Sequence, residues 1–135
     1  MSSTMKLLVA AVALGGCGRA RAQGSEASAS SADPPIACQL GALGAEEREH
    51  HAALLRELEA MMAEPRETDD GYIFRLRADS VGFRKVAEWI TLERRCCPFL
   101  SFELGWSAAE ESPSLRLHGR PGVKAFLAAE IAGKR

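Results

Sequence analysis

The chain has 135 residues, 47% of them hydrophobic, with 17 Lys and Arg against 18 Asp and Glu for a formal net charge of -1. That length and composition suffice for one domain with a packed core. So even a balance leaves no excess of Lys and Arg to clamp phosphates, which argues against a nucleic-acid partner.

Residues 1–16 read as a leader rather than as fold. Met5-Lys6 is a short basic region, and Leu7 to Gly16 ("LLVAAVALGG") is an apolar run of ten. Small residues, Gly15 and Gly16, precede Cys17. Ten residues are too few to cross a bilayer as a helix, where about 20 are needed. The stretch "LGGC" resembles the lipobox of bacterial lipoproteins, with Leu14 at the third position before the cysteine. The resemblance implies a signal peptide cut before Cys17 and acyl chains such as palmitate on Cys17, so that an N-terminal lipid holds the chain to a membrane. Translation would then start at Met1 or at Met5. Gly18 stands where an aspartate commonly retains such proteins in an inner membrane, so the outer membrane of the cell envelope is the implied destination. The alternative is a cytoplasmic protein with a short apolar N-terminus.

Residues 17–35 then form a tether, "GRARAQGSEASASSADPP" after Cys17, rich in Gly, Ala and Ser with no apolar periodicity. A coil of that length reaches roughly 20–25 Å. Residues 36–135 are expected to be one α+β domain. Leu54, Leu55, Leu58, Met61 and Met62 at helical spacing predict a helix from Ala45 to Glu64, with His51 one turn before Leu54 and Leu55 and Pro65 as its stop. In "DDGYIFRLR", Tyr72, Phe74 and Leu76 alternate with Ile73, Arg75 and Arg77, a half-buried strand after an Asp70-Gly71 turn.

Asp79 or Ser80 can cap a second helix that runs to Cys97, where Pro98 stops it, with Phe83, Val86 and Ile90 as its buried stripe. Leu100, Phe102, Leu104 and Trp106 alternate in a second strand, and Leu115 and Leu117 point inward from a third. Pro121 suits the first turn of a last helix carrying Val123, Phe126, Leu127 and Ile131. The predicted order is α-β-α-β-β-α, with helices on one face of a small antiparallel or mixed sheet of about three strands.

Continuing the stripe of the second helix by three and then four residues reaches Glu93 and Cys97, which places a carboxylate and a thiol toward the core. A carboxylate there needs a partner. Cys96 lies within one turn of Glu93, while Arg94 and Arg95 fall toward the flanks. Nearby cations favour thiolate and a helix C-terminus disfavours it, so the two influences oppose each other.

Adjacent cysteines rarely bond to each other, because the ring is strained. The pair calls for a third thiol, and Cys38 in "PPIACQL" is the other cysteine of the predicted domain. Two outcomes follow: Cys38 forms a disulfide with Cys96 or Cys97, or all three thiols hold a thiophilic metal or metalloid ion with Glu93 orienting the site. Zinc would ask for a fourth ligand from His50, His51 or Glu93, but no CxxC or HxxxH spacing is present. His50 and His51, on a charged helix face, read as solvated, and His118 reads as a surface residue. No GxSxG, HExxH or phosphate-cradling glycine loop occurs. A thiol enzyme with Cys96 or Cys97 as nucleophile and Glu93 as base is the lesser alternative.

"ERRCCPFLSFEL", with the upstream "ACQL", the "DGYIFRLR" strand and the closing "GVKAF", resembles a family of small uncharacterised bacterial proteins with an "ER-x-CCPFL-x-F" signature. Some of its members are associated with MerR-type regulators and mercury or heavy-metal resistance. The resemblance runs from about Ile36 to Ile131 and implies shared positions at Cys38, Glu93, Arg94, Cys96, Cys97, Pro98 and Phe99. It implies a thiol-based role and supplies no reaction. The leader and tether depart from cytosolic members, and in an oxidising periplasm a disulfide is favoured over free thiols. The expectation is a lipid-anchored α+β domain that binds a soft ion through Cys38, Cys96, Cys97 and Glu93. Its rival is a structural or interaction module stapled by a Cys38 disulfide.

Overall fold

The computed structural model describes residues 32–133. The expected leader, Cys17 and most of the tether lie outside the described residues. A short 3-10 turn, Leu40–Ala42, leads into helix α1, Ala45–Met61. Glu46 and Glu47 sit in its first turn, where negative charge suits the helix dipole. Glu47 also reaches back to accept the Gly44 N–H at 2.9 Å. The buried positions are His51, Leu54 and Leu58, spaced three and four apart. Met62 leaves the helix in an extended conformation and bridges to Leu76.

Strands β1, Arg66–Glu67, and β2, Gly71–Arg75, form an antiparallel hairpin in which Arg66 faces Ile73 and Glu67 faces Tyr72. The Asp70-Gly71 turn therefore joins two strands instead of merely preceding one. Gly71 is required there, because a Cβ would lie 2.0 Å from the Leu117 carbonyl oxygen. Helix α2, Ser80–Cys96, is capped by Asp79, whose carboxylate accepts from Val81 N–H at 3.0 Å and Gly82 N–H at 2.9 Å. Its buried stripe is Gly82, Val86, Trp89 and Cys96. The expected stripe through Ile90 is corrected by one residue: Trp89 is the one that turns fully inward, and Ile90 and Phe83 are half-buried.

Strand β3, Ser101–Gly105, pairs with β4, Ser114–His118, and β4 pairs with β2. The sheet has four strands in the order β1-β2-β4-β3, all antiparallel. The predicted α+β class stands, but the strand count of three and the order α-β-α-β-β-α do not. β1 is the addition: two exposed charged residues that belong to the sheet through backbone pairing alone. Pro121 is likewise displaced from its predicted place, since helix α3 is Val123–Ala132 and its N-cap is Gly122, held at φ 99° where glycine is favoured.

The registers put Tyr72, Leu117 and Phe102 in one row and Phe74, Leu115 and Leu104 in the next, on a single face. The helices cover that face. The Trp89 ring meets Phe102 edge-on at 5.9 Å, and Phe126 of α3 meets Phe99 at 5.0 Å. The opposite face is polar: Arg116 donates to Asp70 at 2.8 Å and to Glu103 at 3.0 Å, and His118 lies 3.2 Å from each of the same carboxylates. Among the described residues, no helix is long and apolar enough to cross a membrane.

Candidate metal centre

The C-terminal end of α2 brings the chemistry together. Glu93 occupies the inward stripe, Cys96 is the last helical residue, and Cys97 caps the helix by donating its N–H to the Glu93 carbonyl at 2.7 Å. Pro98 follows and prevents another helical turn. The segment before α1 is drawn across this helix end, with the Gln39 N–H donating to the Cys96 carbonyl at 2.6 Å. That contact satisfies one of the carbonyls a helix terminus leaves open. It also places Cys38 beside Cys97, with their Cα atoms 4.6 Å apart and the two sulfurs joined as a disulfide. Cys96, buried to 1% exposure, remains a free thiol.

Glu93 finds its partner on α1. His51 Nε2 lies 2.5 Å from Glu93 Oε2, a hydrogen bond between two largely buried side chains. The same oxygen accepts from the Cys96 thiol at 3.6 Å, and the thiol also contacts the Glu93 carbonyl at 3.4 Å. Burial pushes the Cys96 pKa up to about 11, with the Glu93 charge and the hydrogen bond to it as further causes. Cys96 therefore rests as a neutral thiol at neutral pH, donating to a carboxylate. Arg95 does not offset this, because its guanidinium is engaged by Glu47 at 2.5 Å and by the Ala42 carbonyl at 2.9 Å.

His51 corrects the expectation of a solvated residue: it is 8% exposed and stacks on Trp89 with ring centroids 6.1 Å apart. Its signal in the sequence is the single helical turn that separates it from Leu54 and Leu55, which puts it on the apolar stripe. His50 is the solvated one, half-exposed and 2.8 Å from Glu88. His118, expected at the surface, is instead 20% exposed within the polar ladder of the sheet.

The four residues expected to hold an ion, Cys38, Glu93, Cys96 and Cys97, are thus neighbours. Candidate ligand atoms of His51, Glu93 and Cys96 lie within 4.8 Å of one another, and so do those of Cys38, Glu93 and Cys97. Glu93 belongs to both sets. With the disulfide formed, the available donors are one thiol, one carboxylate and one imidazole, a three-ligand N/O/S set of the kind that suits borderline ions and leaves a coordination position open. Reduction adds two thiols and turns the cluster toward soft ions.

The cluster opens on a cavity of about 850 Å³ between the helices and the sheet, whose walls include Leu55, Phe74, Trp89, Leu115, Leu117 and Phe126. Trp89 carries a buried indole N–H that has no acceptor among the described residues. Compared with known proteins, the chain matches no family model, no curated protein and no solved structure.

Proposed function

We propose that the domain binds a thiophilic metal or metalloid ion at the end of α2, through Cys96 and Glu93 with His51, and through Cys38 and Cys97 once their disulfide is reduced. The observation that supports this reading most is the convergence of His51, Glu93 and Cys96 within 4.8 Å, in a place where the fold buries His51 and Cys96 and largely covers Glu93. A buried carboxylate, imidazole and thiol are costly to gather and are poorly explained by packing alone. The ion would displace the Cys96 proton, and Glu93 would serve as a hard ligand or hold the thiolate in place. The "LGGC" stretch supports the further proposal that Cys17 is acylated and holds the domain to an envelope membrane.

Cadmium is the natural probe of a soft site. Reduced protein should bind one cadmium ion per domain, and Cys96→Ser should lose that binding. Reduced protein that ignores cadmium, or a Cys96→Ser variant that binds like the parent, would sink the proposal.

The Cys38–Cys97 disulfide favours a second reading, a structural or interaction module in which the bond merely fixes the segment before α1 to the helix end. That reading predicts no ion binding in either redox state and a loss confined to stability on reduction.

A further inference from the structure

The cavity contains more than an ion cluster would use. Its volume of about 850 Å³ falls within the range of small-molecule sites. The half-buried Leu55, Met62, Phe126 and Ile131 give it apolar walls that suit a hydrophobic body. Apart from His51, which pairs with Glu93, and the cysteines, its ionisable side chains are carboxylates. Glu93 and Glu130 contribute carboxylates, and no Lys or Arg is among the described residues that line it. An anionic head would meet repulsion there, while a cationic head meets attraction and aromatic faces that add to it. The lining also includes Trp89, whose indole N–H is buried and without an acceptor among the described residues. A donor left in that condition favours a guest whose acceptor reaches it once the indole ring turns toward the cavity.

We propose that this cavity binds an apolar organic ammonium ion, a hydrophobic amine whose body carries a hydrogen-bond acceptor, with its charge toward the cavity carboxylates and the acceptor toward Trp89. The amine site shares the cavity with the ion site, whose Cys38, His51, Glu93, Cys96 and Cys97 also line it, and differs from it in the groups it uses: the apolar walls, Glu130 and Trp89. It asks for no reduction of the disulfide and no thiolate.

The test uses the full chain with Trp106→Phe, which leaves Trp89 as the remaining one of the two tryptophans and hence the fluorescent reporter. The probe is 3-phenoxypropylamine, with its neutral isostere 3-phenoxypropanol and the anion 4-phenoxybutyrate as comparisons. A chelator is present throughout. The amine should change Trp89 emission saturably and bind about tenfold more tightly than the alcohol, as expected for one added charge interaction inside a partly desolvated site. The carboxylate should not bind. Glu130→Gln, at an exposed position on α3, should weaken the amine severalfold and leave the alcohol unchanged, with Glu93→Gln as a second variant and circular dichroism confirming that both fold. The proposal is overturned if none of the three probes binds, if the alcohol or the carboxylate binds as tightly as the amine, or if neither variant weakens the amine. Because the chelator removes metal from this titration, its failure leaves the ion site to be judged by the cadmium experiment alone.

Discussion

Glu93 is the residue on which the site turns. Its Oε2 accepts from the Cys96 thiol and pairs with His51 Nε2, so a single carboxylate both holds the thiol protonated and stands ready as a ligand. With the Cys96 pKa raised from the ordinary 9.0 to about 11, the neutral thiol is the form the fold prefers. The sign follows from that: Cys96 contributes stability that is fully present below the unfolded value of 9.0 and is lost as pH rises toward about 11. Thiolate absorbance of the oxidised protein should therefore show Cys96 titrating near pH 11, and Glu93→Gln should bring that midpoint down. An unchanged midpoint in the variant would remove Glu93 as a cause. Because binding an ion must displace the thiol proton, cadmium affinity should also rise from mildly acidic to mildly alkaline buffer, measured by competition with a chelator.

At the scale of elements, helix α2 and the segment that crosses its end do most to assemble the site. The Cys38–Cys97 bond joins residues 59 apart in sequence and closes a loop that contains all of α1, β1, β2 and α2. Constraining a loop of that size in the unfolded chain stabilises the fold by about 4 kcal/mol in the chain-entropy view, and measured cases run about 2–4 kcal/mol. Chemical denaturation with and without reductant should show a loss in that range. A reduced protein as stable as the oxidised one would mean that the bond is not formed in solution.

This part of the molecule was well marked in the sequence, because a period of 3.6 residues carried forward from Val86 reaches Glu93 and Cys97, and Pro98 ends the helix. His51 was hidden by its neighbours. Glu46, Glu47, Arg48, Glu49 and His50 give α1 a charged beginning, and only the relation of His51 to Leu54 and Leu55 marks its burial. Trp89 was missed for a related reason: Ile90 fits the apolar period equally well, and a shift of one residue is decided by what the stripe packs against, here Phe102 and His51. β1 could not be read at all, since Arg66 and Glu67 have neither apolar alternation nor β-branching, and their strand exists through pairing with Ile73 and Tyr72. The disulfide lay between two legible options, Cys96 and Cys97, and the choice came from the helix end, where Cys97 turns out of the helix toward Cys38 while Cys96 stays within it.

Among the described residues, four antiparallel strands and three α-helices enclose one apolar layer, and the cysteine cluster lies at its edge, where α1, α2 and the segment before α1 converge. The sheet's other face is closed off chemically by its ladder of Asp70, Glu103, Arg116 and His118. The layout places a thiol, a carboxylate and an imidazole beside a cavity with apolar walls, and the redox state of one bond sets how many sulfurs the cluster can offer. The most direct measurement of this account is thiolate-to-cadmium charge-transfer absorbance followed through a cadmium titration of the oxidised and the reduced protein. The account predicts one ion per domain in both states, weak and with the absorbance of a single thiolate when oxidised, tight and with a severalfold larger band when reduced. Identical titrations in the two states, or no band in either, would contradict it.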